Sequence, residues 1–224
     1  MKFGKWMLLI LFVGIIASLS FSDVFSSDKD PIQFPKGEKY KKEWASVDSL
    51  DKLGLPKSAL EVVDKIYNKA SKANNPDQII KAMMYKMKYL NMVEENAFED
   101  AVKQLEEDVV KAKFPNNAMM HSMLAEMYWM YYQNNRWKFY QRSQTVGFVT
   151  DDIKTWDLNK LGDQVIKHYV LSLQNKDSLQ RTSVETYEEA ITKYESTKKY
   201  RPTLYDFLAN RAINFFQNRE LTLT

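Results

Sequence analysis

Residues 114–143, FPNNAMMHSMLAEMYWMYYQNNRWKFYQRS, constrain the fold more than any other part of the chain. No other segment is as dense in aromatic residues and Met. Its middle lacks Pro and Gly, and Ala, Met, Leu and Glu are good helix formers. Met120, Leu124, Met127 and Tyr131 recur at i, i+4, i+7 and i+11, and Met123, Met130 and Trp137 widen that stripe. A helix apolar over so much of its circumference must be covered on more than one side. The spacing therefore predicts a central helix with other helices packed around it.

The remaining sequence agrees with an all-α chain. Gly and Pro number six each in 224 residues, so breakers are scarce, and Lys, Glu, Met, Leu and Ala are plentiful. Helical spacing predicts a weak helix over Lys39–Leu53 ended by Gly54, then helices over Lys57–Lys72 and Asp77–Val93. A further helix begins at Asn96 and ends at the Phe114–Asn117 break. Pro56 stands where a missing N–H is harmless, and Asn75 and Asp77 suit a helix start. The turns are short, so neighbouring helices should run antiparallel. Asn134–Asp152 reads as irregular, Trp156–Leu173 as helix, Ser178–Ser183 as connector, Glu185–Tyr194 as a short helix and Thr203–Asn218 as a last one.

Three phrases place Ala before an aliphatic residue: Pro56-Lys-Ser-Ala59-Leu60-Glu61, Phe98-Glu-Asp-Ala101-Val102-Lys103 and Tyr187-Glu-Glu-Ala190-Ile191-Thr192. A small Ala lets two helices approach closely, as in tetratricopeptide repeats. Their period is about 34 residues, whereas these copies lie 42 and then 89 residues apart. The expected architecture is a tetratricopeptide-like stack of antiparallel helical hairpins over residues 39–218.

The ends carry other signals. Residues 1–22 read as a secretory signal: Lys2 and Lys5, an apolar run from Trp6, then Ser18, Ser20 and Ser22 around a cleavage point. The rival is an uncleaved anchor, the one way this chain would meet a membrane. Its apolar run of about sixteen residues falls short of the roughly 20 that a spanning helix needs. Either way the expected location is exported, periplasmic or in the cell envelope. Residues 23–38 mix Ser, Asp, Pro and Gly without period and read as a linker. Residues 219–224 alternate as a strand does and are expected to begin a further segment.

Sequence signals for chemistry are poor. There is no Cys, hence no disulfide, thiolate metal site or Cys nucleophile. Net charge is +3, and removal of a leader carrying Lys2 and Lys5 leaves +1. That is no basic footprint for nucleic acid. His121 and His168 are the two histidines, and neither has a second ligand at HExxH-type spacing. Glu94–Glu95 and Glu106–Asp108 read as solvated helix faces. With no phosphate-binding glycine loop and no GxSxG elbow, the expectation is no enzyme, no catalytic residue, no metal and no cofactor. The aromatic surplus is mainly core. A partner groove is its sharper alternative, since Trp and Tyr are favoured anchors. Trp129, Tyr132, Trp137 and Tyr140 are the candidates, because they point away from the Met120/Leu124/Met127 stripe or lie past the helix end.

Four runs together carry a resemblance: Gly54-Leu-Pro-Lys-Ser-Ala-Leu-Glu-Val-Val-Asp-Lys-Ile-Tyr67; His121–Trp129 with Tyr131–Tyr140; Asp152-Ile-Lys-Thr-Trp-Asp157; and Arg201-Pro-Thr-Leu-Tyr-Asp-Phe-Leu208. They resemble the N-terminal helical region of very large bacterial alpha-2-macroglobulin-like proteins, over nearly everything after the linker. The resemblance implies an exported endopeptidase inhibitor in which β-sandwich domains, a bait segment and sometimes a reactive thioester follow. The absence of Cys departs from the thioester pattern, and no inhibitory residue transfers. The implied role is docking, to downstream domains of the same protein or to an envelope protein. The alternative is a free-standing envelope scaffold that binds peptides or proteins.

Overall fold

A computed structural model describes residues 30–36, 40–94, 97–141, 152–191 and 198–218, the side chains of 140, 141 and 198 excepted. The chain divides into Met1–Pro31 and Ile32–Thr224, and all of the helices described belong to the second unit. The leader, residues 23–29 and 37–38 of the linker, residues 39, 95–96, 142–151 and 192–197, and the tail 219–224 lie outside the described residues.

The described residues are all-α. Helices run over Lys41–Lys52 (α1), Pro56–Lys72 (α2), Pro76–Val93 (α3), Ala97–Lys111 (α4), Asn116–Gln141 (α5), Leu158–Ser172 (α6), Lys176–Arg181 (α7) and Leu204–Phe216 (α8). The α1–α2 turn puts Gly54 at φ 68°, the left-handed conformation that glycine adopts freely. Asn75 caps α3, its side chain accepting from the Gln78 N–H at 3.3 Å, and Pro76 follows at the first helical position. Thr203 and Asp206 close a reciprocal capping box on α8. Among the described residues no helix is long and apolar enough to cross a membrane.

From α1 to α6 each helix packs on the next, and α7 packs on α8. Side-chain pairs show that α1 and α2, α4 and α5, and α5 and α6 run in opposite directions. Glu43, early in α1, pairs with Lys69, late in α2. Phe98 at the start of α4 stacks on Tyr131 of α5 at 6.1 Å, while Glu106 further along α4 meets the earlier Tyr128. His121 of α5 faces His168 late in α6, and Tyr128 lies 5.4 Å from Trp156, just before α6. Two apolar clusters result. Trp44, Val47, Val63, Ile66 and Tyr89 bind α1–α3 together. The larger cluster surrounds α5 and draws on α3 through α8. Ala59 is fully buried and Ala101 is 4% exposed, so two of the three repeated alanines do lie at helix contacts.

The structure differs from the sequence reading in four places. α5 continues beyond Asn134 to Gln141. Asn135 leaves helical geometry at φ −122°, ψ 19°, and its side-chain amide donates to the Tyr131 carbonyl at 2.9 Å across the kink. Phe139, buried against Tyr131 and Tyr132 at 6.2 and 5.7 Å, holds the continuation in place. The expected connector at Ser178–Ser183 is largely α7, anchored by the fully buried Leu179. Six residues are too few to display a period. Of the expected helix Glu185–Tyr194, residues 192–194 lie outside the described residues, and the described part is a 3-10 turn over Val184–Tyr187 followed by an irregular turn. The next N–H groups, of Glu189 and Ala190, donate to the Asp77 carboxylate, at 3.2 and 2.9 Å, and not to a helical ladder. Ala190, the third repeated alanine, therefore sits in a turn. Finally, the described part of the linker is docked. The Ile32 N–H donates to the Arg181 carbonyl at 3.0 Å, and Phe34 lies 6.3 Å from Phe114.

Candidate functional site

A cleft of about 840 Å3 opens between the helices. Tyr67 and Ser71 of α2 form one wall and Pro76 and Ile79 of α3 the next. Asp108 and Lys111 of α4, the Phe114–Asn116 turn and Met120 of α5 close the far side, with Phe34 and Pro35 on the linker side. Two breaks in helical sequence create it. Asn74 takes a left-handed φ of 49°, which Asn tolerates better than most residues. The second is the Phe114–Pro115 turn, whose peptide is cis. Both turns fall at the same end of the stack, so neighbouring hairpins leave a gap between them.

A buried polar knot braces the cleft. Asp77 is 4% exposed and accepts both N–H groups of the Glu189–Ala190 turn. Burial is the main influence on it and raises its carboxyl from 3.8 to about 6, despite those two hydrogen bonds. Lys81 reaches Glu189 at 2.9 Å. Gln78 accepts the Trp44 indole N–H at 2.6 Å, and Tyr187 donates to Asn116 at 2.7 Å. Inside the cleft, burial and the nearby Asp108 raise the Tyr67 phenol above its ordinary value. The walls thus offer apolar side chains with interspersed amides, hydroxyls, one acid and two lysines. Such a surface suits an extended peptide, whose backbone needs polar partners while its side chains seek apolar ones.

The four aromatic groove candidates do not form a shared surface. Trp129 and Tyr132 are core residues, 7% and 1% exposed. They stack on one another at 5.1 Å, and Trp129 meets Phe215 of α8 edge-on at 5.3 Å. Their proposed role as open partner anchors is corrected on that ground. Trp129 is turned toward α8, and Tyr132 belongs to a second buried stripe with Ala125 and Tyr128, while Met120 and Leu124 are buried on the first. Trp137 is 61% exposed, with Lys138 at 5.5 Å from its ring. The Tyr140 side chain lies outside the described residues. Trp137→Ala is therefore expected to change the unfolding free energy by less than about 0.5 kcal/mol. Urea denaturation checks this, and a loss above about 1.5 kcal/mol would show that the ring is packed.

The structure also brings together groups that the sequence left apart. The Nδ1 atoms of His121 and His168, 47 residues apart, lie at 3.0 Å. Burial lowers both imidazoles, His168 to about 4. Spacing contained half of this signal: His168 shares the buried i, i+4, i+7 stripe of Leu161 and Val165. That His121 stands opposite could come only from the pairing of α5 with α6. Glu106, read as solvated, is half-buried and accepts the Tyr128 hydroxyl. Glu126 likewise accepts from Tyr169 at 3.0 Å. Both contacts, with burial the larger influence, push those phenols well above their ordinary range.

No family model matches the chain, and neither a curated protein nor a solved structure matches it.

Proposed function

We propose that this chain is a docking module, the N-terminal helical region of an exported alpha-2-macroglobulin-like protease inhibitor, with no catalytic or trapping residue of its own. The observation that carries the docking role is the cleft of about 840 Å3, concave, apolar-walled and edged by amides. The family assignment rests on the four sequence runs. One of them, Gly54–Tyr67, forms the α1–α2 turn and most of α2, and its last residue lines the cleft. The partner is a segment of the downstream β-sandwich region of the same protein, or an envelope protein. Ligand binding at a seam between rigid hairpins requires little backbone rearrangement.

A second reading, a free-standing tetratricopeptide-like scaffold, is favoured by the buried Ala59 and Ala101 at close helix contacts. The coding sequence past Thr224 separates the two. Repeated β-sandwich patterns in the same frame are expected, and a stop codon would favour the scaffold. Where β-sandwich domains follow, they should bind this chain in trans when made separately. Ile79→Asp, which puts a charge into the cleft wall, should weaken that binding at least tenfold. Equal binding by the variant would remove the cleft from the interface. The chain by itself should not inhibit proteases; an inhibition constant in the micromolar range or tighter would overturn the docking-only role.

A further inference from the structure

Two imidazoles from different helices converge at the α5–α6 seam. Besides the 3.0 Å between Nδ1 atoms, their ring centres are 5.0 Å apart and the planes are inclined by 57°. Packing fixes both rings. The edge of Tyr128 meets His168 at 5.5 Å, and Trp156 packs on Tyr128 at 5.4 Å. Leu124 and Val165, fully buried, hold the two helices on either side. In the protein alone, one Nδ1 carries the shared proton and the other accepts it. Both rings are neutral at neutral pH because burial disfavours their charged forms. His168 is 7% exposed and His121 more open, so approach is from the His121 side.

We infer that His121 and His168 form a two-nitrogen site for a divalent transition-metal cation, with Cu2+ preferred. The separation of the donors is compatible with a tetragonal metal, and the general affinity order places Cu2+ above Zn2+ and Ni2+. At metal–nitrogen distances of about 2.0–2.1 Å, a 3.0 Å bite subtends roughly 95° at the metal. That angle belongs to neighbouring corners of a tetragonal sphere, the geometry favoured by Cu2+ and Ni2+. Tetrahedral Zn2+ would place the nitrogens nearer 3.3–3.4 Å apart at the same bond lengths. Among the described residues no group of three His, Cys, Asp or Glu side chains comes together, so water completes the sphere. The bound ion takes both Nδ1 lone pairs. The proton once shared between them moves to Nε2 of its ring, and both imidazoles stay neutral. Lys167 follows on the solvent side of α6, and salt screens its exposed charge.

Cu2+ titration of the full chain in a weakly coordinating buffer tests the site. One ion per chain is expected, with a dissociation constant on the order of 1–10 µM. The chain has two histidines, so a paramagnetic resonance spectrum showing two imidazole nitrogens identifies both. That measurement needs no variant. His121→Ala, at the more open position, should stay folded by circular dichroism, bind at least tenfold more weakly and lose the rise in melting temperature that Cu2+ gives the wild type. Fewer than two imidazole nitrogens in the spectrum, or unchanged affinity in the variant, would overturn the site. Tighter binding of Zn2+ than of Cu2+ would overturn the tetragonal assignment.

Discussion

Trp129→Ala is expected to lower the unfolding free energy by about 3–5 kcal/mol. The indole is 7% exposed and lies between two rings, stacked on Tyr132 and edge-on to Phe215. Truncation removes a large apolar area and leaves a cavity that rigid neighbours on α5 and α8 fill poorly. α8 should loosen first, because Phe215 loses one of its ring contacts and keeps that with Tyr169, while Leu204 and Leu208 remain fully buried. Urea denaturation measures the loss, and hydrogen exchange in Leu204–Phe216 locates it. A change below about 1 kcal/mol would return Trp129 to the surface role that its sequence position suggested.

Asp77→Ala should lower the unfolding free energy by about 2–4 kcal/mol at neutral pH, since it orphans the N–H groups of Glu189 and Ala190. The same carboxylate has an unusual pH signature. Its folded pKa, about 6, lies above the unaltered 3.8, so the folded chain holds a proton that the unfolded chain has released. Stability from this group is complete below the unfolded value and is lost as pH rises through the folded one. The window runs from about pH 4 to pH 6 and is worth up to about 3 kcal/mol. Glu43 and Asp51 are shifted the other way, each lowered first by its hydrogen bond to a lysine, Lys69 and Lys88. They contribute stability that is lost in acid. The difference between wild type and Asp77→Asn isolates the buried group, because Asn cannot ionise. Relative to wild type, the Asn variant should gain stability as pH rises from 4 to 6. A flat difference across that window would show that burial does not govern this carboxyl.

The structure that carries the cleft was unevenly legible. α2 and α3 begin one residue before their expected starts and end where expected, and the turn residues explain why. Pro56, Asn75 and Pro76 act on their own neighbours, so their effect is visible in a short window. The cleft itself was not legible. Tyr67, Ile79 and Phe114 carry no mark that sets them apart from other apolar helix positions. They form a wall because two turns fall at one end of the stack.

Sequence alone determined that the chain is helical, roughly where the first four helices begin and end, and that α5 must be surrounded. These follow from local periodicity, capping and breakers, all of which act within a few residues. Only the tertiary structure decided which stripe of α5 meets which neighbour. It buried Trp129 and Tyr132, joined His121 to His168, and turned Asp77 from a helix-end residue into the buried acceptor that stops a helix 112 residues away. Those outcomes depend on partners distant along the chain. A side chain's burial and charge are set by what packs against it, and no residue's immediate neighbours specify that.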